Sequence, residues 1–326
     1  MKSLVTGGAG FIGSHLVDIL LEKGDEVIVL DNFTTGRPEN LSHVVEGKLN
    51  LIEADLSLEK DWRRHFKNVD RVFHLAALAD IVPSIENPDS YFQSNVTGTF
   101  NVMKACKEFD IAKVVYTASS SCYGIPDIFP TPETAEIRPQ YPYALTKLLG
   151  EQIVLHWSNV YGVSSVSTRL FNVYGPRSRT SGTYGAVFGV FLAQKLSNKP
   201  YTVVGDGTQT RDFTHVKDVA SALVAASESS LEGEILNIGS DNTYSINQVV
   251  GLLEGEVVYI PKRPGEPDVT WADISKAKEM LEWNPKISIE EGIEDLLDNI
   301  DYWSEAPVWD PDSISKATKK WFEYLG

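Results

Sequence analysis

Three observations along the chain predict an α/β fold built on a doubly wound parallel sheet. Short apolar, β-branched runs alternate with stretches of helical apolar spacing at the period of βαβ units. A glycine-rich turn, Gly7-Gly8-Ala9-Gly10-Phe11-Ile12-Gly13, joins the first run to the first helical stretch. After about residue 174 the alternation stops, which predicts a smaller C-terminal α/β lobe beside the main sheet.

Leu4-Val5-Thr6 reads as a short buried strand. Phe11 to Lys23 carries helical apolar spacing, and Gly24 ends it. Glu26 to Leu30 is the second strand, closing at Asp31. Leu49 to Glu53, Arg71 to Leu75, Lys113 to Thr117 and Val163 to Thr168 follow as the third to sixth. A loop rich in Gly, Ser, Thr and Arg, Gly175 to Gly185, precedes a helix at Val187 to Leu196. Tyr201 to Val204 and the turn Gly205-Asp206-Gly207 come next. Gly233 to Gly239 again reads as a core strand, so the chain is expected to return to the first sheet. The expected division is 1–174 plus about 212–243 for a nucleotide-binding domain, and about 175–211 plus 244–326 for a substrate lobe.

The glycine turn fits a dinucleotide cradle of Rossmann type. Gly8-x-Gly10-x-x-Gly13 follows a strand and opens a helix, where glycines permit a tight turn and a close approach of backbone to a pyrophosphate on the helix N-terminus. Asp31 ends the second strand, where a carboxylate binds ribose hydroxyls and repels a 2′-phosphate. NAD is therefore expected over NADP, with Arg37 nearby as the residue that keeps NADP open.

Tyr143 and Lys147 lie four apart, one helical turn along the same face. An ammonium beside a phenol favours the phenolate and lowers the tyrosine pKa from its reference near ~10. Upstream, Ser119-Ser120-Ser121 offers a hydroxyl to share the bond to a substrate hydroxyl. With a nicotinamide nearby, this set suits removal of a hydride and a proton from a sugar or alcohol carbon.

The bulk properties restrict the class. With 326 residues, 42% of them hydrophobic, the chain can bury a large core. A formal net charge of −16 is the wrong sign for a general nucleic-acid binder. The two cysteines, Cys106 and Cys122, make no disulfide framework, and no His/Asp/Glu cluster has metal-ligand spacing, so no metal is expected. Neither a signal peptide nor a long apolar run is apparent, and a cytoplasmic location is expected.

Together with these stretches, Leu30-Asp31-Asn32, Asp55-Leu56, His74-Leu75-Ala76-Ala77, Asn95 to Thr99, Arg169 to Pro176 and Gly205 to Phe213 resemble the extended short-chain dehydrogenase/reductases, in their nucleotide-sugar epimerase/dehydratase branch. The likeness runs over nearly the whole chain. It implies that Tyr143 is the base, that Lys147 orients it and holds the nicotinamide ribose, and that Ser119 shares the sugar hydroxyl. Gly7, Gly10, Phe11, Ile12, Gly13, Asp31, Asn32, Asp55, Leu56, Ala76, Ala77 and Asn95 are the implied cofactor residues. Asn172, Arg211 and Arg263 would hold the substrate diphosphate, and Glu266 would accept from the nucleoside ribose. Asp80, Ser120, Ser121, Val187 and Thr270 complete the implied substrate set.

Within the branch the second functional group decides the reaction. Dehydratases resemble Thr-Asp-Glu-x-Tyr-Gly where this chain reads Ser119-Ser120-Ser121-Cys122-Tyr123-Gly124, so their water-expelling acid/base pair is absent. Decarboxylases tend to carry Glu at Ser121, and GDP-fucose synthases a cysteine there; Cys122 is one residue off and reads as a core filler. One base without a second acid is what a 4-epimerase needs, and the stretch looks most like UDP-hexose and UDP-N-acetylhexosamine 4-epimerases. In such enzymes the residue before Trp-Ala-Asp gates the space around C2; the small Thr270, before Trp271-Ala272-Asp273, should admit an N-acetyl group. The alternatives are a C4 dehydrogenase or epimerase of a GDP- or dTDP-sugar and, from another class, a non-catalytic dinucleotide sensor. Such sensors usually lose the Tyr-x-x-x-Lys pair that this chain keeps.

Several residues stand apart from the pattern. Asp80 falls where relatives have a small residue or histidine, and Arg177 and Arg179 are either nucleotide contacts or solvated. His74 and His215 read as structural. Ile314, Ala317, Trp321 and Leu325 recur at helical spacing and predict a final packed helix capped by Asp312 or Ser313. A homodimer is expected through a four-helix seam formed by Asn95–Phe109 and Pro142–Trp157, with Leu148, Leu149, Val154 and Trp157 in it.

Overall fold

The computed structural model describes residues 1–45, 47–59, 61–178 and 187–326. Its strands are β1 (Lys2–Thr6), β2 (Glu26–Asp31), β3 (Leu49–Glu53), β4 (Arg71–His74), β5 (Lys113–Ser119), β6 (Ser165–Leu170), β7 (Asn172–Tyr174), β8 (Tyr201–Val204), β9 (Thr210–Arg211), β10 (Phe213–His215), β11 (Glu234–Ile238), β12 (Tyr244–Ser245) and β13 (Val257–Ile260). The helices are α1 (Phe11–Glu22), α2 (Ile81–Glu86), α3 (Pro88–Phe92), α4 (Gly98–Glu108), α5 (Pro142–Tyr161), α6 (Val187–Leu196), α7 (Val216–Glu228), α8 (Ile246–Leu253), α9 (Ser275–Leu281), α10 (Ile289–Asp298), α11 (Pro311–Ala317) and α12 (Lys319–Leu325).

Seven strands form one parallel sheet in the order β3-β2-β1-β4-β5-β6-β11. This is a doubly wound α/β sheet, as the alternation predicts. β-Branched, apolar strands suit it because both faces are covered. On one face Leu16, Val17 and Leu20 of α1 meet Val219, Leu223 and Ala226 of α7; on the other, Val102, Met103 and Cys106 of α4 pack with Trp62, Phe66 and Val154. Each such fully buried aliphatic chain contributes about 1.5–3 kcal/mol.

The strand order reverses between β1 and β4, which opens a crevice at the carboxyl ends of those strands. A second core, with Phe188, Phe191, Tyr201, Val249, Leu253, Leu296 and Trp303, joins α6, α8 and α10 to the small β8–β13 pair. It borders the same crevice from the other side.

Three expectations change. β6 begins at Ser165 because Gly162, in the left-handed region, first closes α5 and turns the chain. The tail is two short helices, not one: Asp310 is the cap, accepting from the Ser313 N–H at 2.7 Å, and the chain breaks at Thr318. Thr318 instead turns its hydroxyl back to the Ile314 carbonyl at 2.8 Å. Val154, expected on an outer seam, is wholly buried against the sheet.

Candidate active site

A cleft of about 680 Å³ lies at the switch point and is lined by both parts of the molecule. Gly7 leaves β1 at φ +68, and a Cβ there would stand 2.7 Å from the Ala76 nitrogen after β4. At Gly13 a Cβ would stand 2.2 Å from the Gly7 carbonyl oxygen. The turn is thus closed to side chains, and the N-terminus of the 12-residue α1 faces the cleft beyond it. Asp31 sits beside this turn, accepting from the Ala9 N–H at 3.0 Å and the Phe33 N–H at 2.9 Å. Burial pushes its carboxyl above the usual range while those donors pull it back. A cradle bare of side chains with an acid at the end of β2 fits a dinucleotide diphosphate and ribose.

β5 ends at Ser119, which caps the short turn Ser120–Tyr123. Its oxygen accepts from the Ser121 N–H at 3.2 Å, and the two serine hydroxyls are 2.8 Å apart. Pro142 opens α5 and places Tyr143 in the first turn of a 20-residue helix. The Ser119 hydroxyl bonds the Tyr143 phenol and lowers its pKa, but burial has the larger effect and holds it above its ordinary value. Lys147 follows on the same helix. Its ammonium lies over the Tyr116 ring, 4.5 Å from the centroid, and burial pulls its pKa down to about 7, opposed by Glu151. Glu151 is itself held by Arg169, at 2.6 Å, and by the Ser167 hydroxyl, at 2.8 Å.

Across the cleft the Thr270 hydroxyl donates to Asn172 Oδ1 at 2.7 Å. Glu266 bridges both predicted phosphate arginines, at 3.0 Å from Arg211 and 3.2 Å from Arg263. Asp55, Leu56, Ala76, Ala77, Asp80, Ser120, Ser121 and Val187 all line the cleft, with Gly10, Phe11, Ile12 and Asn32. Asn95 does not line it. Its amide clasps both polar groups of the Leu78 backbone, at 2.8 and 3.0 Å, and the Thr146 hydroxyl, so it shapes the loop beneath the cleft.

Sequence reasoning missed Tyr141, Tyr302 and Trp321 as cleft residues. Trp321 read as simple packing; it carries the Arg263 guanidinium 5.2 Å over its ring and donates to the Pro264 carbonyl at 2.7 Å. Tyr302 donates to Asn40 at 3.0 Å. No local motif marks these two, which the fold brings from the far end of the chain. Tyr141 carried a signal, its place beside Pro142-Tyr143. Arg177 lines the cleft and pairs with Asp18 at 2.7 Å; Arg179 and the rest of 179–186 lie outside the described residues. His74 is buried between the Thr6 and Thr99 hydroxyls, and burial pulls its pKa down to about 3. His215 caps α7, and Cys122 is core.

The chain matches the model of the NAD dependent epimerase/dehydratase family over residues 3–239. It belongs to that family. A UDP-glucose 4-epimerase of Mycolicibacterium smegmatis is 35% identical over 307 residues, covering 90% of this chain and 96% of that one. Among solved structures, a UDP-N-acetylglucosamine 4-epimerase from Methanobrevibacter ruminantium M1, in complex with UDP-N-acetylmuramic acid, superposes with a TM-score of 0.85 at 34% identity, over 93% of this chain and 97% of that one. A UDP-glucuronic acid 4-epimerase from Bacillus cereus, with UDP-glucuronic acid and NAD, does so with a TM-score of 0.86 at 34% identity, over 92% and 99%. NAD is the cofactor of this epimerase/dehydratase, and the expected fold and family both hold. Among the described residues no helix is long and apolar enough to cross a membrane, and no cluster of metal-binding side chains occurs.

Proposed function

We propose that this family member is a 4-epimerase of a UDP-hexose or UDP-N-acetylhexosamine. The carrying observation is the β5 turn: Ser119 bonds Tyr143, and Ser120 and Ser121 stand where a dehydratase needs its acid and base. NAD held by Gly7, Gly13 and Asp31 would supply the acceptor for the C4 hydride and the donor that returns it to the other face. Tyr143 takes the C4 hydroxyl proton and gives it back, with Ser119 sharing the bond. Lys147 holds the nicotinamide ribose. With no carboxylate at 120 or 121 to pull a proton from the neighbouring carbon, the 4-keto sugar keeps its hydroxyls and can only turn over and be reduced.

Arg211 and Arg263, with Asn172, hold the diphosphate, and Glu266 accepts from the nucleoside ribose. The Thr270 hydroxyl, donating to the Asn172 side-chain amide oxygen, leaves the C2 side of the sugar a small, polar wall, which suits an acetamido group. Two lobes, 1–174 with 212–243 and 175–211 with 244–326, are part of this reading; there are two apolar cores, but Ala272, Ile274, Ala277 and Trp283 pack in the first and Tyr174 and Phe213 in the second, so the cores cross these bounds. A cytoplasmic location is part of it too, as is a homodimer through α4 and α5, where Phe100, Leu145, Val160 and Tyr161 are exposed.

The test is incubation of the protein with UDP-GlcNAc, UDP-glucose, GDP-mannose and dTDP-glucose, following products by NMR and the NADH band by absorbance. A C4 epimer of a UDP-sugar without net NADH supports the reading. Lasting NADH with a keto-sugar, or turnover only of a GDP- or dTDP-sugar, overturns it.

A further inference from the structure

We propose that Trp321 is a positioning residue for the substrate diphosphate: its indole holds the Arg263 guanidinium by one face and the turn after Arg263 by its N–H, so the arginine is in place before the diphosphate arrives. The proposal rests on Arg263 holding the diphosphate, as in the proposed function, and does not depend on which sugar is attached.

The segment that carries Arg263 has little backbone freedom. Pro261, Pro264 and Pro267 punctuate it. Pro264 biases Arg263, just before it, toward the extended region, and Gly265 then turns the chain at φ +68. The Pro264 carbonyl at this turn accepts from the Trp321 Nε1–H at 2.7 Å. That N–H is the only donor an indole has, so the ring is pinned by its edge. The residue is only 4% exposed, which leaves the ring no room to tilt. Its face meets the Arg263 guanidinium, whose central carbon is 5.2 Å from the ring centroid. One side chain thus grips both the turn and the charge that the turn presents.

The electrostatics say why a neutral ring suits this position. Glu266 lies 3.2 Å from Arg263 and 3.0 Å from Arg211, so one carboxylate is shared by two guanidinium groups. A diphosphate bound at these arginines competes with Glu266 for them, and in the proposed function Glu266 turns to the nucleoside ribose. Arg263 then loses part of its hold on that carboxylate. The indole attracts the guanidinium through its ring quadrupole and leaves the positive charge uncompensated. Arg263 keeps its place and its full charge for phosphate oxygens. A carboxylate in place of the ring would also orient the arginine, but it would cancel the charge that the diphosphate needs.

The ring arrives from the far end of the chain. α12, which carries it, lies against α2, whose N-cap is Asp80. Trp321, Arg263, Glu266 and Asp80 all line the cleft, so the tail ties the Arg263 loop to the α2 wall.

The experiment uses the NAD-loaded protein and its Trp321→Phe, Trp321→Leu and Arg263→Ala variants, with the double variant Trp321→Leu, Arg263→Ala. UDP, dTDP and GDP are titrated calorimetrically, and the one the parent binds most tightly is carried through the series. Trp321→Leu should weaken its binding roughly two- to tenfold, the cost of ordering one arginine side chain on binding. Trp321→Phe keeps a ring and should recover part of that loss. KM for the turned-over nucleotide sugar should rise by the same factor in Trp321→Leu with kcat held, the mark of lost uniform binding; a merely structural role would move kcat and NAD affinity as well. In the Arg263→Ala background Trp321→Leu should add nothing, because the ring acts only through that arginine. Should Trp321→Leu fail to fold, Trp321→Phe in both backgrounds reads the same coupling. Parent affinity in Trp321→Leu, or a full further loss in the double variant, overturns the proposal and leaves the proposed function standing if Arg263→Ala alone is weakened. Parent affinity in Arg263→Ala overturns both. Preference for GDP or dTDP over UDP refutes the UDP reading alone.

Discussion

Replacing Gly13 by alanine should harm NAD binding far more than the same change at Gly10, three residues earlier in one turn. A Cβ on Gly13 would lie 2.2 Å from the Gly7 carbonyl oxygen and 2.7 Å from the Gly8 Cα. Ordinary contact begins at 3.4 Å, so the oxygen must retreat by about 1.2 Å, the difference between the two distances. Both obstacles are backbone, with no flexible end to give way. On Gly10 the Cβ meets the same oxygen at 3.1 Å and nothing closer, and the backbone there is extended, so a small adjustment suffices. Overpacking of this kind costs about 1–3 kcal/mol. At roughly 2–4 °C per kcal/mol, Gly13→Ala should melt roughly 2–12 °C below the parent. The atoms displaced are those that cradle the diphosphate, and a misplacement near 1 Å costs about a hundredfold. NAD affinity should therefore fall by one to two orders of magnitude in Gly13→Ala and by no more than about threefold in Gly10→Ala. Calorimetric titration of NAD and a thermal melt on each variant read both effects. Equal NAD affinity in the two variants, or an unchanged melt for Gly13→Ala, would refute the steric argument.

Thr270→Tyr fills the space beside Asn172 and should abolish turnover of UDP-GlcNAc while sparing UDP-glucose; steady-state rates on both sugars check it. Asp212 is buried, and burial raises its carboxyl to about 6 although the Ser240 and Ala272 N–H groups bond it at 2.6 and 3.0 Å. A raised folded value means that the native state binds the proton more tightly than the unfolded chain. Its contribution to stability is complete below the unfolded value and is lost as pH rises through about 6. Melting curves between pH 4 and 6 should show that component in the parent and lose it in Asp212→Asn. Phe100→Asp with Tyr161→Asp places charge on the exposed α4–α5 face and should convert a dimer to monomer by light scattering; an unchanged mass would remove that face from consideration.

The parts of the fold that read directly from the sequence are those set by local pattern. The Leu49–Glu53 strand, the α6 helix and the Tyr201–Val204 strand were bounded by apolar runs with turn residues at each end, and the structure has the same limits. The turn glycines Gly7 and Gly13 were equally legible, because a backbone that must touch backbone leaves glycine as the only option. The tail failed for a reason local spacing cannot express. Ile314 and Trp321 share a helical period, yet Thr318 breaks the helix between them, and Trp321 packs under Arg263 instead of continuing the face. Asn95 failed similarly: a buried amide in a familiar motif was read as a cofactor contact, and its bonds go to Leu78 and Thr146.

The Tyr143 and Lys147 pair shows where a motif stops being an explanation. A spacing of four fixes which face of α5 the two residues share, but not where a long side chain ends. The Lys147 ammonium lies over the Tyr116 ring and above Glu151 on the next turn, so its influence is divided between an aromatic face and a carboxylate that Arg169 already claims. The lowering of the Tyr143 phenol that the structure carries comes from Ser119, which belongs to β5. Its position at the start of α5 adds the positive end of a long helix. How β5 and α5 meet therefore sets the surroundings of the Tyr143 phenol, and Ser119, outside the Tyr-x-x-x-Lys pair, is the group that lowers it.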